Sequence, residues 1–155
     1  MAGSGKTTLG RLLAEQLSWS FYDADEFHPP ANRHKMAQGI PLSEEDRLPW
    51  LQRLEDLDRR LVQQNEDAVW ACSALKAAYR RRFPRATWVY LHGDRALLAK
   101  RLASRTGHFF PPQLLESQLA LLEPPAEAIW LEVDRSPSEL LAELMVALQA
   151  RGLLE

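Results

Sequence analysis

The start of the chain carries residue types that bind phosphate. They come in one run: Gly3, Ser4, Gly5, Lys6, Thr7 and Thr8. At a helix start, backbone N–H groups and the helix dipole attract an anion, Lys6 can reach the β and γ oxygens of a nucleotide, and the Thr7 hydroxyl can bind Mg²⁺. The full pattern G-x-x-x-x-G-K-[ST] would place its first glycine one position before Met1. These residues alone therefore also fit a glycine segment that merely caps a helix.

Two acidic residues, Asp23 and Asp25, follow a short apolar run in the stretch FYDADEFHPP. If that run is a strand, both carboxylates lie at its C-terminal end, where open α/β sheets bind ligands, and alternation turns them to one side. One carboxylate could hold the Mg²⁺ shell through water, while the other orients an attacking hydroxyl or accepts its proton. The alternative is an ordinary solvated acidic turn.

Three basic residues are candidates for binding an anionic substrate. Arg47 stands beside Asp46 and just before a proline and a tryptophan, a setting suited to bidentate capture of a carboxylate. Lys76 and Arg80 are four residues apart after another apolar run, which predicts a shared helix face. The alternative in both cases is a charged surface without a ligand.

A second basic pair, Arg101 and Arg105, precedes a Gly-His pair and a proline-broken stretch. Such a segment could form a mobile lid that delivers positive charge to the transferred phosphoryl group on closing and excludes water. The alternative is a basic helix end that complements the helix dipole. His34 and His92 have no partner at metal-ligand spacing, so we interpret them as structural or surface residues, and no Cys/His set indicates zinc.

The elements that position these residues alternate along the chain. Apolar, β-branched and aromatic runs predict strands at 21–22, 68–72, 88–91 and 129–133. Helical spacing predicts helices at 6–17, 48–62, 75–83, 96–104 and about 140–148, the last capped by Ser136 with Pro137 and Glu139 in its first turn. Alternating strands and helices predict an α/β fold with a mostly parallel sheet and helices on both faces.

Composition limits the remaining choices. The 155 residues fit one domain, 1–155, with an ordinary globular share of hydrophobic (46%) and charged (26%) residues. A net charge of -2 gives no general attraction for nucleic acid or an anionic membrane. The single cysteine, Cys72, suits a reducing compartment, and no apolar run is long enough to span a membrane, which predicts a cytoplasmic location.

Taken in order, the motifs of this chain resemble those of a known family. They are GSGKT, DADEFHP, NRHKM, GIPL, DRLPW, CSALKAAYR and GHF. This set resembles the gluconokinases of the shikimate-kinase-like and nucleoside-monophosphate-kinase-like P-loop superfamily, over essentially the whole chain. The resemblance implies transfer of the ATP γ-phosphoryl group to the 6-hydroxyl of D-gluconate, giving 6-phosphogluconate and ADP, with ATP and Mg²⁺ as cofactors.

The resemblance also assigns roles to individual residues. Catalysis falls to Lys6, Asp25 and Arg105, with Asp25 as general base or hydroxyl-orienting group. Nucleotide binding falls to the run from Gly3 to Thr8 and to Arg101 and Arg105. Metal binding falls to Thr7 and, through water, Asp23. Substrate binding falls to Asp25, His28, Arg47, Lys76, Arg80 and His108, with Arg47 the first choice for the carboxylate.

The chain departs from the family pattern at its front. Family members open with a β-strand and G-V-S-G-S-G-K-[ST], whereas this chain opens with MAGSGKT. That strand is central in the family's sheet order, 2-3-1-4-5, so its absence predicts an unfilled slot between two parallel strands. Unpaired buried backbone groups cost about 1–3 kcal/mol each, so we expect reduced stability and an N-terminally truncated or alternatively started gluconokinase.

Two other functions remain open from the sequence. One is a different small-molecule kinase of the shikimate kinase type, and the other is a catalytically impaired nucleotide-binding product. A homodimer is compatible with the sequence, and gluconate is the only partner that the motifs indicate.

Overall fold

The structure, a computed structural model, describes residues 5–103 and 112–154 of the chain. The strands are β1 (Ser20–Asp23), β2 (Ala68–Ala71), β3 (Val89–His92) and β4 (Ile129–Glu132). The helices are α1 (Lys6–Leu17), α2 (Pro30–Ala37), α3 (Glu44–Gln63), α4 (Ala77–Arg80), α5 (Arg95–Ala103), α6 (Pro112–Leu121) and α7 (Pro137–Ala150), and a short 3-10 helix spans Ala24–Phe27. The predicted alternation of strands and helices is confirmed.

The strands form two parallel pairs. In one pair β1 lies beside β2, with Asp23 opposite Ala71, and in the other β3 lies beside β4, with His92 opposite Glu132. Within the described part of the chain no hydrogen-bonded ladder joins β2 to β3.

One hydrophobic cluster nevertheless joins the two pairs of strands. Its buried members include Leu9 and Leu13 of α1, Leu91 of β3 and Leu144 of α7, and Val69 of β2 packs against them. Burial of these side chains holds both sheets to the same helices, because apolar area removed from water stabilises by roughly 25 cal/mol per Å² without requiring a shared ladder.

A second cluster holds helix α3 against the end of β1. Its buried members include Trp50, Leu54, Tyr79 and Phe83, which come from α3, α4 and the residues just after α4. The indole Nε1–H of Trp50 donates to the carbonyl of Ala24 at 2.7 Å, which ties α3 to the 3-10 helix. The cluster thereby holds α3, which carries Arg47, against Ala24 after β1 and against Tyr79 of α4.

Helix α3 begins four residues earlier than the predicted position 48. Ser43 and Asp46 form a reciprocal capping box, in which Ser43 Oγ accepts from the Asp46 N–H and Asp46 accepts from the Ser43 N–H. Pro49 lies inside the helix. The sequence-based prediction began at position 48 and missed the cap, which satisfies the free N–H groups of the first turn.

Helix α4 is shorter than predicted, since it covers Ala77–Arg80 instead of 75–83. Helix α2, helix α6 and the 3-10 helix were not predicted from the sequence. The predicted cap of α7 is confirmed, because Ser136 Oγ accepts from the Glu139 N–H and Pro137 occupies the first turn. No described helix combines the length and the apolar character that crossing a membrane requires.

Candidate active site

Gly5 caps the start of helix α1 in the left-handed region, with φ of 89°. A residue with a side chain is strained in this conformation, which glycine adopts freely. The carbonyl of Gly5 accepts the N–H of Leu9 at 3.0 Å, so Lys6, Thr7 and Thr8 form the first turn of the helix. Gly3 and Ser4, the other predicted phosphate-binding residues, lie outside the described residues.

The carboxylate of Asp23 caps the 3-10 helix that follows β1. Its Oδ1 accepts the backbone N–H of Asp25 at 3.0 Å. This contact fixes the chain direction after the strand. Thr7 and Asp23 thus offer hydroxyl and carboxylate oxygens, the donors that suit Mg²⁺, which keeps several waters and needs few protein ligands.

Cys72 directly follows β2, and its thiol lies near three of the charged candidate residues. Burial raises its pKa to about 12, and the charges of Asp25, Lys6 and Asp23 also act on it. Asp23, the last residue of β1, lies opposite Ala71, the residue before Cys72. The acids after β1 therefore lie beside the end of β2, and the charges of Asp25 and Lys6 are near enough to act on the thiol.

The imidazole of His28 is buried and fixed on both sides. It stacks on the Trp50 indole, and its Nδ1 accepts from the Asn32 amide nitrogen at 3.1 Å. That amide also donates to the carbonyl of Asp46 at 2.7 Å, so the neutral ring carries its proton on Nε2. Burial, followed by the charge of Arg47, lowers the pKa of His28 to about 4.

Arg47 is a buried cation with long contacts. The residue is 8% exposed, its Nη1 donates to the Tyr79 hydroxyl at 3.5 Å, and the same atom lies 3.9 Å from Glu44 Oε1. Its guanidinium also lies over the Tyr79 ring, 5.9 Å from the centroid. A buried guanidinium with such loose partners is suited to a bidentate carboxylate.

Glu44 and Tyr79 complete this cationic region, and sequence reasoning missed both. The Lys76 ammonium donates to Glu44 Oε1 at 2.7 Å, and the Tyr79 hydroxyl contacts both Glu44 oxygens at 2.8 and 3.0 Å. Hydrogen bonds from Lys76 and Tyr79 hold the pKa of Glu44 below its usual value. The i, i+3 spacing of Glu44 and Arg47 was the one sequence signal that could have identified Glu44 as part of this region. No sequence signal pointed to Tyr79.

A cavity of 360 Å³ opens beside the Glu44 carboxylate. Its lining comprises Glu44, Glu45, Leu48, Leu51, Ala78, Tyr79 and Arg82. Arg47 and Lys76 do not line it, so the cavity borders the cationic region without being its centre.

Arg80 uses its donors within the protein. Its Nη1 donates to the carbonyls of Ala74 and Leu75 at 2.7 and 3.2 Å, and its Nη2 donates to the carbonyl of Glu123 at 2.6 Å. The expected helix face shared with Lys76 is wrong, because Lys76 precedes α4 in an extended conformation. Arg80 joins the loop after β2 to the segment after α6.

Arg101 and the start of α1 border one cavity of 160 Å³, whereas the predicted contact of Arg101 with a nucleotide stays a prediction. The cavity is lined by Gly5, Thr8, Leu9, Arg101, Arg135, Pro137 and Leu140. Arg135, which sequence reasoning missed, is held by an ion pair with Glu143. Arg105 and His108, the other predicted lid residues, lie outside the described residues.

The spacing of the histidines and of the single cysteine predicts no metal centre built from these residues. In residues 5–103 and 112–154, no group of three or more His, Cys, Asp and Glu side chains could hold a metal ion. His92 instead packs with Tyr90 and Trp130, and His34 contacts the Gln38 amide.

The helix start at Lys6, the acids after β1 and the parallel strands are features expected of a P-loop kinase. The family model described as shikimate kinase matches residues 2–128. The solved shikimate kinase of Aquifex aeolicus shares the fold, with a TM-score of 0.60 at 19% identity over 98% of this chain and 94% of that one. The chain is therefore a nucleotide-using kinase of the shikimate kinase class.

More similar relatives narrow the class to one family. The probable gluconokinase of Mus musculus is 43% identical, with 96% of this chain and 94% of the relative covered. A solved gluconokinase from Sinorhizobium meliloti is 38% identical, with a TM-score of 0.83 over 96% and 87% of the two chains. A solved sugar kinase from Janibacter is 36% identical, with a TM-score of 0.89 over 96% and 90%. The chain belongs to the gluconokinases.

Proposed function

We propose that this protein transfers the γ-phosphoryl group of ATP to the 6-hydroxyl of D-gluconate, giving 6-phosphogluconate and ADP. The observation that carries this proposal is that the acids after β1 lie beside the end of β2, where Asp23 is opposite Ala71, and that Lys6 begins the helix that packs on β2. A phosphate-binding cation and a carboxylate at one strand end are what a phosphoryl donor and a hydroxyl acceptor require. Family membership supplies the identity of the acceptor.

The nucleotide lies, in this proposal, at the start of α1. Lys6 and the N–H groups of the first helical turn bind the β and γ phosphates, and the helix dipole adds to their attraction. Thr7 and, through water, Asp23 would hold Mg²⁺, which neutralises phosphate charge when bound. Arg101 contacts the nucleotide from the neighbouring cavity, and Arg105 with His108 acts from the predicted lid.

The acceptor lies between Asp25 and the cationic region on α3 and α4. Arg47 binds the gluconate carboxylate with help from Lys76, and the neutral His28 donates its Nε2–H to a sugar hydroxyl. Asp25 then orients the 6-hydroxyl and accepts its proton as the new P–O bond forms. Positioning and charge neutralisation supply most of the rate in such a transfer. A direct contact of Arg80 with substrate stays a prediction.

The cellular setting is also part of the proposal. A single cysteine suits the reducing cytoplasm, where we place the protein. A homodimer and a single domain spanning residues 1–155 stay predictions.

A coupled assay tests the reaction. ADP release would be followed with D-gluconate, shikimate or no acceptor, and 6-phosphogluconate would be identified with its dehydrogenase. We expect ADP release only with gluconate, and we expect Asp25→Asn to lower kcat by about 10²-fold or more. The matched control is Glu26→Gln, an exposed acid one residue away, which should retain activity. Equal ADP release without gluconate, or preference for shikimate, would contradict the proposal.

A second candidate, ligand binding with little turnover, is favoured by one observation. The strand next to Lys6, β2, has a hydrogen-bonded neighbour on only one side among the described strands. Because Leu9 and Leu13 of α1 pack with Val69 of β2, a less firmly held β2 would position Lys6 less accurately, and a misplacement of about 1 Å can cost about 10²-fold in rate. Equilibrium dialysis with ATP and gluconate decides between the two functions: binding of both without ADP formation would favour the second.

A further inference from the structure

The cationic region holds a carboxylate that belongs to the protein itself. We call its donors Arg47, Lys76 and Tyr79 the carboxylate cradle. The carboxylate in it is that of Glu44, which accepts from Lys76 at 2.7 Å and from Tyr79 at 2.8 and 3.0 Å, and lies 3.9 Å from Arg47. Two of these donors, Arg47 and Lys76, are the ones that the proposed function assigns to the gluconate carboxylate.

Glu44 can leave the cradle without disturbing the fold. It is the first residue of α3 and its side chain is 59% exposed, whereas that of Arg47 is 10% exposed. The cap of α3 depends on Ser43 and Asp46 instead, and Asp46 is further fixed by Lys35 at 2.8 Å. The 360 Å³ cavity beside Glu44 gives the displaced side chain space.

We propose that Glu44 is a specificity-determining residue that competes with the substrate carboxylate for the cradle. This inference rests on the proposed function. When gluconate binds, its carboxylate takes the place of the Glu44 carboxylate, which turns into solvent. The exchange replaces one ion pair by another, so the net gain from charge is small.

The consequence is selection for polyhydroxy acids. A simple carboxylate gains little by displacing Glu44, because it offers the cradle nothing that Glu44 does not. A neutral polyol leaves Glu44 in place and gains nothing from the cradle. Only a ligand that has both a carboxylate and a row of hydroxyl groups adds enough further hydrogen bonds to complete the exchange.

Substitution of Glu44 tests the proposal. Kd for D-gluconate and for the neutral polyol sorbitol would be measured by calorimetry, together with KM and kcat, for the wild type, Glu44→Gln and Glu44→Ala. We expect both variants to bind gluconate about two- to fivefold more tightly, the range for loss of an exposed ion pair. KM should fall with kcat unchanged, and sorbitol binding should not change.

Glu45→Gln is the matched control, because Glu45 is an exposed acid in the same first turn of α3. It removes the same interaction with the helix dipole and should leave gluconate affinity at the wild-type value. The alternative role for Glu44 is purely structural, as a tie between α3 and α4. In that case both Glu44 variants would bind gluconate equally or more weakly, and the proposal would be overturned.

Failure of the proposed function gives a different result. If the wild type phosphorylates gluconate but neither Glu44 variant binds it more tightly, only the role of Glu44 is wrong. If no variant binds gluconate and the wild type releases no ADP with it, gluconate is not the acceptor. The proposed competition between Glu44 and the gluconate carboxylate is then wrong as well. Melting temperatures of all variants identify any loss of folding.

Discussion

The imidazole of His28 lies almost parallel to the indole of Trp50, with 4.6 Å between the ring centroids and 12° between the planes. Asn32 fixes the ring from its Nδ1 side. The stacking buries the imidazole, and burial disfavours its charged form. Near neutral pH the site therefore contains an uncharged His28 that can donate one hydrogen bond but adds no positive charge beside Arg47.

Because the pKa of His28 is lowered in the folded protein, we expect the protein to lose stability in mild acid. Burial lowers the pKa of His28 from 6.5 to about 4 in the folded protein. Below pH 6.5 the unfolded chain binds a proton that the folded chain does not, so the free energy of unfolding falls by up to about 3 kcal/mol by pH 4. His28→Phe keeps a stacked ring without this titration, and urea unfolding at several pH values should show a smaller decrease.

The control for this prediction is His34→Gln. His34 is an exposed histidine on α2 that contacts Gln38, so its removal should leave the acid-induced loss as large as in the wild type. An identical pH dependence in His28→Phe and the wild type would show that another group causes the loss.

Gly5→Ala should reduce both stability and nucleotide binding. The left-handed φ of 89° strains any side chain there, at a cost of about 1–3 kcal/mol, and relief of the strain would turn the helix start away from the phosphates. The control is Gly152→Ala. Gly152 has a φ of 72° just after α7, so this variant imposes a similar strain at a position far along the chain from the start of α1. Thermal unfolding should show comparable losses, whereas only Gly5→Ala should weaken ATP binding by equilibrium dialysis.

Arg47→Lys should raise the KM for gluconate by about tenfold, which corresponds to about 1.4 kcal/mol. A lysine ammonium cannot form the two parallel hydrogen bonds of a guanidinium with a carboxylate. Arg53→Lys is the control, because Arg53 lies on the same helix and donates to the Phe27 carbonyl at 3.3 Å from an exposed position. Steady-state kinetics with unchanged KM in Arg47→Lys would remove Arg47 from the carboxylate site.

Arg80→Lys separates support of the loop from substrate contact. Lysine cannot reach the carbonyls of Ala74, Leu75 and Glu123 together, and we expect a loss of about 1–3 kcal/mol in the free energy of unfolding, the cost of unpaired polar groups. Arg81→Lys, one residue away and exposed, should be neutral. An unchanged free energy of unfolding with a raised KM would instead favour the predicted contact with gluconate.

Much of the fold followed from local patterns. The leucines of α1 and the short runs of β1 to β4 are periodic within a few residues, and periodicity predicts such elements directly. The start of α3 was predicted four residues late because the helical pattern begins at position 48, whereas the capping box of Ser43 and Asp46 starts the helix at Glu44. Helix α4 was predicted too long because packing of Tyr79 and Phe83, and not helical spacing, explains why those positions are apolar.

The sequence by itself determined the family and predicted the chemistry. Lys6 and Asp25 stand out because a phosphate suits a cation at a glycine turn and a hydroxyl suits a carboxylate at a strand end, and Arg47 stands out because it precedes a proline and a tryptophan. Their neighbours along the chain were enough to predict those roles.

Only the tertiary structure decided which partners the charged side chains bind. Glu44 and Lys76 are separated by 32 positions, and Arg80 and Glu123 by 43, so no local pattern could connect them. Their pairing depends on the packing of α3 on α4 and on the path of the chain after α6. The same packing neutralises His28, places Glu44 in the carboxylate cradle and commits Arg80 to backbone carbonyls, because burial and distance act through space and not along the sequence.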